Sequence, residues 1–485
     1  MILKSANHYY IYENKSKYLF SVHPMINLFY LLHDKEMDFI LKAAELQYGE
    51  FYSMDEIQIF YQQYLFLKEN AFFRDDPIEA NTFHVGKHNI EDCLSSIPQI
   101  IFEVTEKCNL NCTYCGYGEH YSGYEQRKNR DLKFITAKKT IDYFVEKWKI
   151  YKKDNISKKT IISFYGGEPL LNFKLIQKIV SYCESFGFKS DFFMFSMTTN
   201  GFLLEQYLDF LIDKNFKILV SLDGDRNNND YRKMKNGQSS FDTIFTSLMN
   251  IKLKNETFFN KNIEFNAVIH KKNSLSEVTS FFKKNFDKTP SISSLSTDNI
   301  APSKEKKFKD IYKFPFDDLM RGDLNEYSEA EVLKYDIFSF FRKNCKQYFM
   351  HIAELYKAER KPRIMPTATC IPFNRRMYVT VNGIILPCER VGDRPVLGYV
   401  DEQKGMVLDV GAIASDCNQK NLSFENDCKI CYNRYSCGIC SFKYSQKKCD
   451  EFMNIDSFRG AMSFNLSMIE KFPNILSYIK KITIS

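Results

Sequence analysis

Three cysteines, Cys108, Cys112 and Cys115, stand four and three residues apart directly after a short apolar run at residues 99–104. Three thiolates so spaced can ligate three irons of one cubane cluster and leave the fourth iron without a protein ligand, open to a substrate. A structural zinc site is the other reading of this spacing. It needs four ligands, and His120 is the only close candidate for the fourth. The chain holds 14 cysteines, and in a compartment that keeps thiols reduced they point to metal ligation rather than disulfides. Seven of them, Cys370, Cys388, Cys428, Cys431, Cys437, Cys440 and Cys449, form a second group near the C-terminus.

That compartment follows from what is missing. Residues 1–14 lack the apolar core of a signal peptide. No uninterrupted apolar run approaches the ~18 residues that span a bilayer. A cytoplasmic protein without a membrane partner is expected. A length of 485 residues exceeds one compact core, so two to four domains are expected. With 44% hydrophobic and 15% aromatic residues the chain is globular rather than disordered. A net charge of +7 is mild over this length. Lysines such as those at residues 304–309 read as solvated surface, and no RNA-binding module is visible, so no nucleic-acid partner is expected.

Along the chain, residues 1–92 read as a small module and its linker. Two short strands at residues 9–12 and 18–22 flank a polar turn, helical stretches follow around 25–32, 36–46 and 55–69, and residues 74–95 are linker-like. Residues 93–300 alternate strands and helices. Strands are expected near 99–104, 160–165, 192–197, 218–222, 263–269 and 292–295, and a helix follows the cysteine loop with Ala137, Ile141, Phe144, Val145 and Trp148 on one face. Such alternation implies a parallel sheet, curved or closed, with the special residues at the C-terminal ends of its strands. Residues 301–365 read as a charged helical bridge, 366–452 as a cysteine-rich lobe with few periodic segments, and 453–485 as a closing helix.

Three motifs follow the cysteine loop at later strand ends: Tyr165-Gly166-Gly167-Glu168-Pro169, Thr198-Thr199-Asn200-Gly201 and Ser221-Leu222-Asp223-Gly224. Glycines in the first let the backbone approach a ligand closely, and Glu168 can hold an ammonium group. Each alone reads as an ordinary strand-to-helix turn. In this order behind Cys-x3-Cys-x2-Cys the sequence resembles the radical S-adenosylmethionine (SAM) superfamily. The resemblance implies an α/β fold with a partial (β/α)6 TIM-like barrel. It implies a 4Fe–4S cluster on Cys108, Cys112 and Cys115 whose open iron binds the amino and carboxylate groups of SAM. Gly166, Gly167 and Glu168 match the motif that receives the methionine amino group. Tyr114 matches the aromatic position beside the adenine, and Thr199, Asn200 and Ser221 are candidates for ribose or carboxylate contacts. The implied chemistry is reductive cleavage of SAM to a 5′-deoxyadenosyl radical that abstracts a substrate hydrogen, with an electron donor such as flavodoxin or ferredoxin.

The second cysteine group taken alone fits a zinc ribbon, although seven cysteines exceed one zinc site. Behind a radical SAM core it resembles the SPASM domain, which binds two auxiliary 4Fe–4S clusters. The resemblance assigns Cys370, Cys388 and Cys440 to the first cluster and Cys428, Cys431, Cys437 and Cys449 to the second. Two residues, not the usual three, separate Cys437 from Cys440. The fourth position of the first cluster is either Cys345 or an open iron. Cys93, Cys183 and Cys417 fit no pattern, and Cys183 reads as core packing. Glu389, next to Cys388, matches an acidic position taken as a base on the substrate in sulfatase-maturing relatives; its other reading is a surface carboxylate.

The N-terminal strand pair and winged-helix-like bundle resemble the element that binds leader peptides by adding the leader as an extra strand; a structural cap on the barrel is the alternative. Over nearly its full length the chain resembles peptide maturases of the GG-Bacteroidales type. This implies a ribosomally synthesised precursor peptide as partner, with its leader held by the N-terminal module, and a crosslink or an epimerised residue as product. Anaerobic sulfatase maturation, which oxidises a protein Cys or Ser to formylglycine, is the second enzyme reading, and a zinc-binding scaffold is the reading outside enzymes.

Overall fold

A computed structural model describes residues 84–122, 127–151, 159–188, 192–297, 299–314, 337, 369–392, 395–430, 437–443, 449 and 455–472, together with the backbone of three short strands within residues 2–21. These strands, β1 (Ile2–Lys4), β2 (Tyr9–Glu13) and β3 (Tyr18–Ser21), form an antiparallel sheet in the order β1-β2-β3. The strands expected at residues 9–12 and 18–22 are present, and β1 is a third. The helices expected between residues 25 and 69 lie outside the described residues.

By internal contact the chain falls into two units, residues 85–332 with 370–419, and residues 1–84 with 333–369 and 420–485. The larger unit begins with helix α1 (Lys87–Ser95) and then alternates. In order come β4 (Gln99–Thr105), β5 (Leu110–Cys112), α2 (Phe134–Tyr151), β6 (Thr160–Gly166), α3 (Phe173–Glu184), β7 (Phe193–Thr199), α4 (Leu208–Asp213) and β8 (Lys217–Ser221). Next are β9 (Arg232–Met234), α5 (Phe241–Lys254), α6 (Glu256–Asn262), β10 (Ile263–Ile269), α7 (Leu275–Phe286), β11 (Ser291–Ser294) and α8 (Glu305–Ile311). Strands β4, β6, β7, β8, β10 and β11 lie side by side and parallel, with helices between them in sequence. This is the parallel sheet expected from the alternation and the α/β partial barrel implied by the resemblance.

Composition explains these elements. In β4 every residue after Gln99 is buried, as in a parallel strand covered on both faces. The stripe of Ala137, Ile141, Phe144, Val145 and Trp148 turns wholly inward, none of them more than 2% exposed. Trp148 stacks on Phe144 at 5.6 Å and meets Phe192 edge-on at 5.4 Å. Burial of a side chain this large contributes about 3–5 kcal/mol against truncation. Helix α7 starts at a capping box, in which Ser274 accepts from the Glu277 N–H and Glu277 reaches back to the Ser274 N–H.

The cysteine-rich segment departs from its expected lack of periodic structure. Strands β12 (Met377–Val379), β13 (Ile384–Leu386), β14 (Gly398–Asp401) and β15 (Gly405–Leu408) continue the barrel sheet past β4 to a total of 10 strands. β12 runs parallel to β4 and the next three are antiparallel. Glu103 of β4 pins this junction: its Oε2 accepts from the Val381 N–H at 3.1 Å, and Arg127 Nη2 stands 3.7 Å from Oε1. A buried carboxylate requires such partners. Strands of three or four residues are too short to show a period. Helix α9 (Val410–Ile430) was also missed, because its buried residues include Ala414, Cys417 and Asn421 along with Ile413 and Phe424, which hydropathy does not mark. Helix α10 (Ile455–Lys471) lies where a closing helix was expected. Among the described residues no helix is long and apolar enough to cross a membrane.

Candidate active site

The site is built where the parallel strands end. β4 stops at Thr105, and the loop that follows is laced to residues 127–132. Glu106 takes Arg130 on its side chain at 2.6 Å and the N–H groups of Lys128 and Arg130 at 2.9 Å each. Burial would raise the Glu106 carboxyl, but these donors bring it down to about 2. Thr105 Oγ1 donates to Asp131 at 2.6 Å, and Lys107 pairs with the same carboxylate. The loop that carries Cys108 is therefore rigid before it reaches the first thiol.

Cys108 Sγ accepts from the Leu110 N–H at 3.4 Å, and the Cys115 N–H returns to the Cys112 carbonyl at 3.1 Å. All three cysteines are half-buried. Burial pushes the Cys112 thiol up to about 12, with Arg232 opposing, and raises Cys108 too; each is close enough to the other and to Cys115 for their charges to repel. Coordination to iron would offset this burial by taking the thiolate form with release of the proton. Among the described residues no three His, Cys, Asp or Glu side chains are placed to hold a single metal ion. His120 does not join the cysteines; it is 2% exposed, packs edge-on to Phe308 at 6.3 Å, and neither ring nitrogen has a partner among the described residues.

The two glycines at the end of β6 have a local purpose. Gly166 sits at φ 138°, and a Cβ there would lie 2.2 Å from the Thr105 carbonyl oxygen; one on Gly167 would lie 2.0 Å from that of Lys107. The Gly167 and Glu168 N–H groups donate to those two carbonyls at 2.8 Å each. The close approach these glycines permit is to the backbone of the cysteine loop.

Glu168 is fully buried. Its Oε1 accepts from the Leu170 N–H at 3.1 Å and from Thr199 Oγ1 at 2.8 Å, and its Oε2 from the Asn200 N–H at 2.8 Å. Burial pushes the carboxyl up while these donors oppose. Asn200 Nδ2 in turn donates to Asn109 Oδ1 at 2.8 Å. The structure thus brings together the cysteine loop, the Gly-Gly-Glu turn and the Thr-Thr-Asn-Gly turn. Ser221 ends β8, half-buried, at the same side of the sheet.

Tyr114 is 8% exposed and packs with Leu295, Phe308 and Ile311. Its hydroxyl donates to Asp223 Oδ2 and accepts from Arg232 Nη1 at 2.9 Å. Asp223 and Arg232, both buried, carried no role from sequence. Asp223 had a signal, the Ser-Leu-Asp-Gly turn. Arg232 had none, since only the pairing of β9 with β5 sets it across from Cys112. Arg232 Nε is buried without a partner among the described residues. A buried guanidinium with an unsatisfied donor beside Cys112 fits an anionic group in that space, as a thiolate-bound cluster with an amino-acid carboxylate would be.

Glu389 also reaches this region. Its Oε1 takes Arg376 Nη1 at 2.9 Å and stands 3.5 Å from Arg390 Nε, while Oε2 is buried without a partner among the described residues. Burial, followed by the nearby charges of Glu389 and Cys115, pushes the Tyr165 hydroxyl up to about 12, so Tyr165 lies close to both. Cys370 and Cys388 belong to this same unit. In the other unit Cys428, Cys437 and Cys449 gather around Phe424 and Ile439. Cys431 and Cys345 lie outside the described residues. Cys183 is buried in the core on α3, where burial raises its thiol. Replacing Glu168 with Ala leaves three donors unanswered in the interior, each costing about 1–3 kcal/mol. Glu168→Ala is expected to lower the urea midpoint by the equivalent of at least about 3 kcal/mol, far more than an exposed carboxylate replaced in the same way.

Residues 102–281 match the family described as the Radical SAM superfamily. An uncharacterized protein of Methanocaldococcus jannaschii is 35% identical over 153 residues, covering 31% of this chain and 48% of that protein. The radical SAM cyclopropyl synthase TigE of Paramaledivibacter caminithermalis is 32% identical over 180 residues, covering 36% and 35% respectively. A cysteine-type anaerobic sulfatase-maturating enzyme of Clostridium novyi is 28% identical over 200 residues, covering 39% and 49%. The chain therefore spans at most about half the length of these curated relatives. The cysteine loop and the turns locked to it lie within residues 102–281, the segment that matches the radical SAM superfamily, a superfamily of enzymes.

Proposed function

We propose that the chain is a radical SAM enzyme that modifies a ribosomally made peptide. The observation that carries the first half is the hydrogen-bonded lock of Glu168, Thr199, Asn200 and Asn109 onto the loop of Cys108, Cys112 and Cys115. Bound there, a 4Fe–4S cluster with SAM would supply a 5′-deoxyadenosyl radical on one-electron reduction by a donor such as flavodoxin or ferredoxin. The chain's own residues position and shield that radical. Tyr114 offers its ring to the adenine, with Thr199, Asn200 and Ser221 at the strand ends for ribose or carboxylate. The Glu168 carboxylate already accepts three donors, so in this reading it ties the Gly-Gly-Glu turn to Thr199 and Asn200 around the methionine amino group rather than gripping that group directly. Anaerobically reconstituted protein is expected to release 5′-deoxyadenosine from SAM under strong reductant, and Cys115→Ala to release none. Equal release by both would remove the cluster from this loop.

The substrate half rests on the resemblance to peptide maturases and on Glu389. One oxygen of Glu389 is clamped by Arg376 and the other is unpaired among the described residues, so in this reading the carboxylate takes a proton from a substrate radical. Glu389→Gln is expected to retain SAM cleavage and to lower peptide turnover at least tenfold. Undiminished turnover would leave Glu389 a merely buried ion-pair partner.

Two auxiliary 4Fe–4S clusters complete this reading. Cys428, Cys437 and Cys449, already gathered around one apolar cluster, serve the second with Cys431. The first is assigned to Cys370, Cys388 and Cys440 by the resemblance. Leader recognition falls to the N-terminal sheet, where β3 is an edge strand among the described residues and an extended peptide can add to it. Deletion of residues 1–75 is expected to abolish binding of a double-glycine precursor in calorimetry while iron content stays unchanged; unaltered affinity would make the module a cap.

Similarity to the Clostridium novyi enzyme supports a second reading, oxidation of a protein Cys or Ser to formylglycine. The mass change of the co-expressed neighbouring peptide, against that of a sulfatase-derived peptide, separates the two.

A further inference from the structure

The antiparallel pairing of β5 with β9 places Arg232 opposite Cys112, so the guanidinium rises from the strand beside one cluster-binding cysteine. Arg232 is 7% exposed. The one hydrogen bond of its guanidinium among the described residues runs from Nη1 to Tyr114 Oη, and its Nε is buried without a partner among them. The hydroxyl passes the contact on to Asp223 Oδ2. Asp223 is itself held, with Oδ1 accepting from the Val268 N–H at 3.0 Å and His270 Nε2 standing 3.6 Å from Oδ2. His270 Nδ1 accepts from the Lys272 N–H at 3.2 Å, which leaves the ring proton on Nε2, facing Asp223. A chain of contacts therefore runs from Asp223 through Tyr114 to Arg232 and ends at Cys112.

A buried cation costs several kcal/mol unless an opposite charge answers it. Asp223 answers from one hydroxyl away and does not touch the guanidinium. Beyond Asp223, the acidic groups within electrostatic reach of Arg232 are the Cys112 thiol, across the strand pair, and the buried Glu168 carboxylate. In a low-dielectric interior the attraction between a fixed cation and a cluster grows with every negative charge the cluster gains, and net charge and neighbouring donors are among the levers that set iron–sulfur potentials.

We propose that Arg232 raises the reduction potential of the cluster held by Cys108, Cys112 and Cys115, and that the Tyr114 hydroxyl, fixed by Asp223, is the positioning group that keeps the guanidinium beside Cys112. The step concerned is uptake of one electron from an external low-potential donor. No bond is made or broken and no proton moves; the cluster's net charge becomes more negative by one unit. The inference rests on the cluster assignment above and concerns the cluster before SAM binds.

The test is a dye-mediated dithionite titration of the anaerobically reconstituted full-length protein without SAM, followed by electron paramagnetic resonance. The variant with Cys108, Cys112 and Cys115 all changed to Ala supplies the background of any other cluster. Arg232→Gln is expected to lower the reduced-to-oxidised ratio about tenfold at a fixed dye potential, a shift of about 59 mV to the negative for one electron. Arg232→Lys, which keeps the charge, is expected to restore most of it. Tyr114→Phe, which keeps a ring for adenine and loses only the hydroxyl, is expected to move the potential the same way by less. An unmoved potential in Arg232→Gln, even with weakened SAM binding, overturns the proposal and leaves Arg232 a ligand for the cofactor's carboxylate. An unmoved Tyr114→Phe overturns the positioning role, and decides the matter alone if Arg232→Gln holds no iron. A wild-type signal identical to the triple variant's would instead sink the cluster assignment.

Discussion

A carboxylate with no access to water holds the top of this barrel together. Glu168 gathers donors from its own turn and from the end of β7, and through Asn200 it reaches the cysteine loop at Asn109. Because an unanswered buried charge is so costly, the three segments cannot separate without exposing it. Gly166 and Gly167 complete the lock from the other side, with backbone lying on backbone where a single Cβ would collide with the carbonyls of Thr105 and Lys107. The cysteines are thus presented by a loop whose shape is set by its neighbours.

Around that loop, charge is distributed with some economy. Glu106 and Arg130 satisfy each other at its base, and Glu103 answers Arg127 near the junction with β12. Burial pushes the Cys108 and Cys112 thiols toward their protonated forms. Arg232 stands beside Cys112 with Tyr114 as its hydrogen-bond partner and no ion pair to a carboxylate among the described residues.

The extension of the sheet through β12 to β15 brings a second part of the chain to the same place. β12 pairs with the strand that leads into the cysteine loop, and so Glu389 arrives beside Tyr165 and within electrostatic reach of Cys115. A carboxylate some 220 residues from Tyr165 in sequence becomes part of one neighbourhood (389 less 165 is 224). No local pattern announces such an addition, because strands of three or four residues carry no measurable alternation and pairing partners are set by tertiary contact.

Sequence alone determined the spacing of Cys108, Cys112 and Cys115, the order of the strand-end turns, and six strand positions that match β4, β6, β7, β8, β10 and β11 within two residues. Those features are local: a metal motif, a turn and a buried strand each declare themselves within a few neighbours. Tertiary structure decided what the turn residues touch. It gave the two glycines to the cysteine-loop backbone, turned Glu168 from a free acceptor into a saturated one, drew Tyr114 into a contact with Asp223 and Arg232, and joined β12 to β4. The physical reason is common to all four. Each depends on a donor, an acceptor or a strand edge supplied from far along the chain, and the free energy that selects it comes from burying polar groups whose partners only the fold assembles.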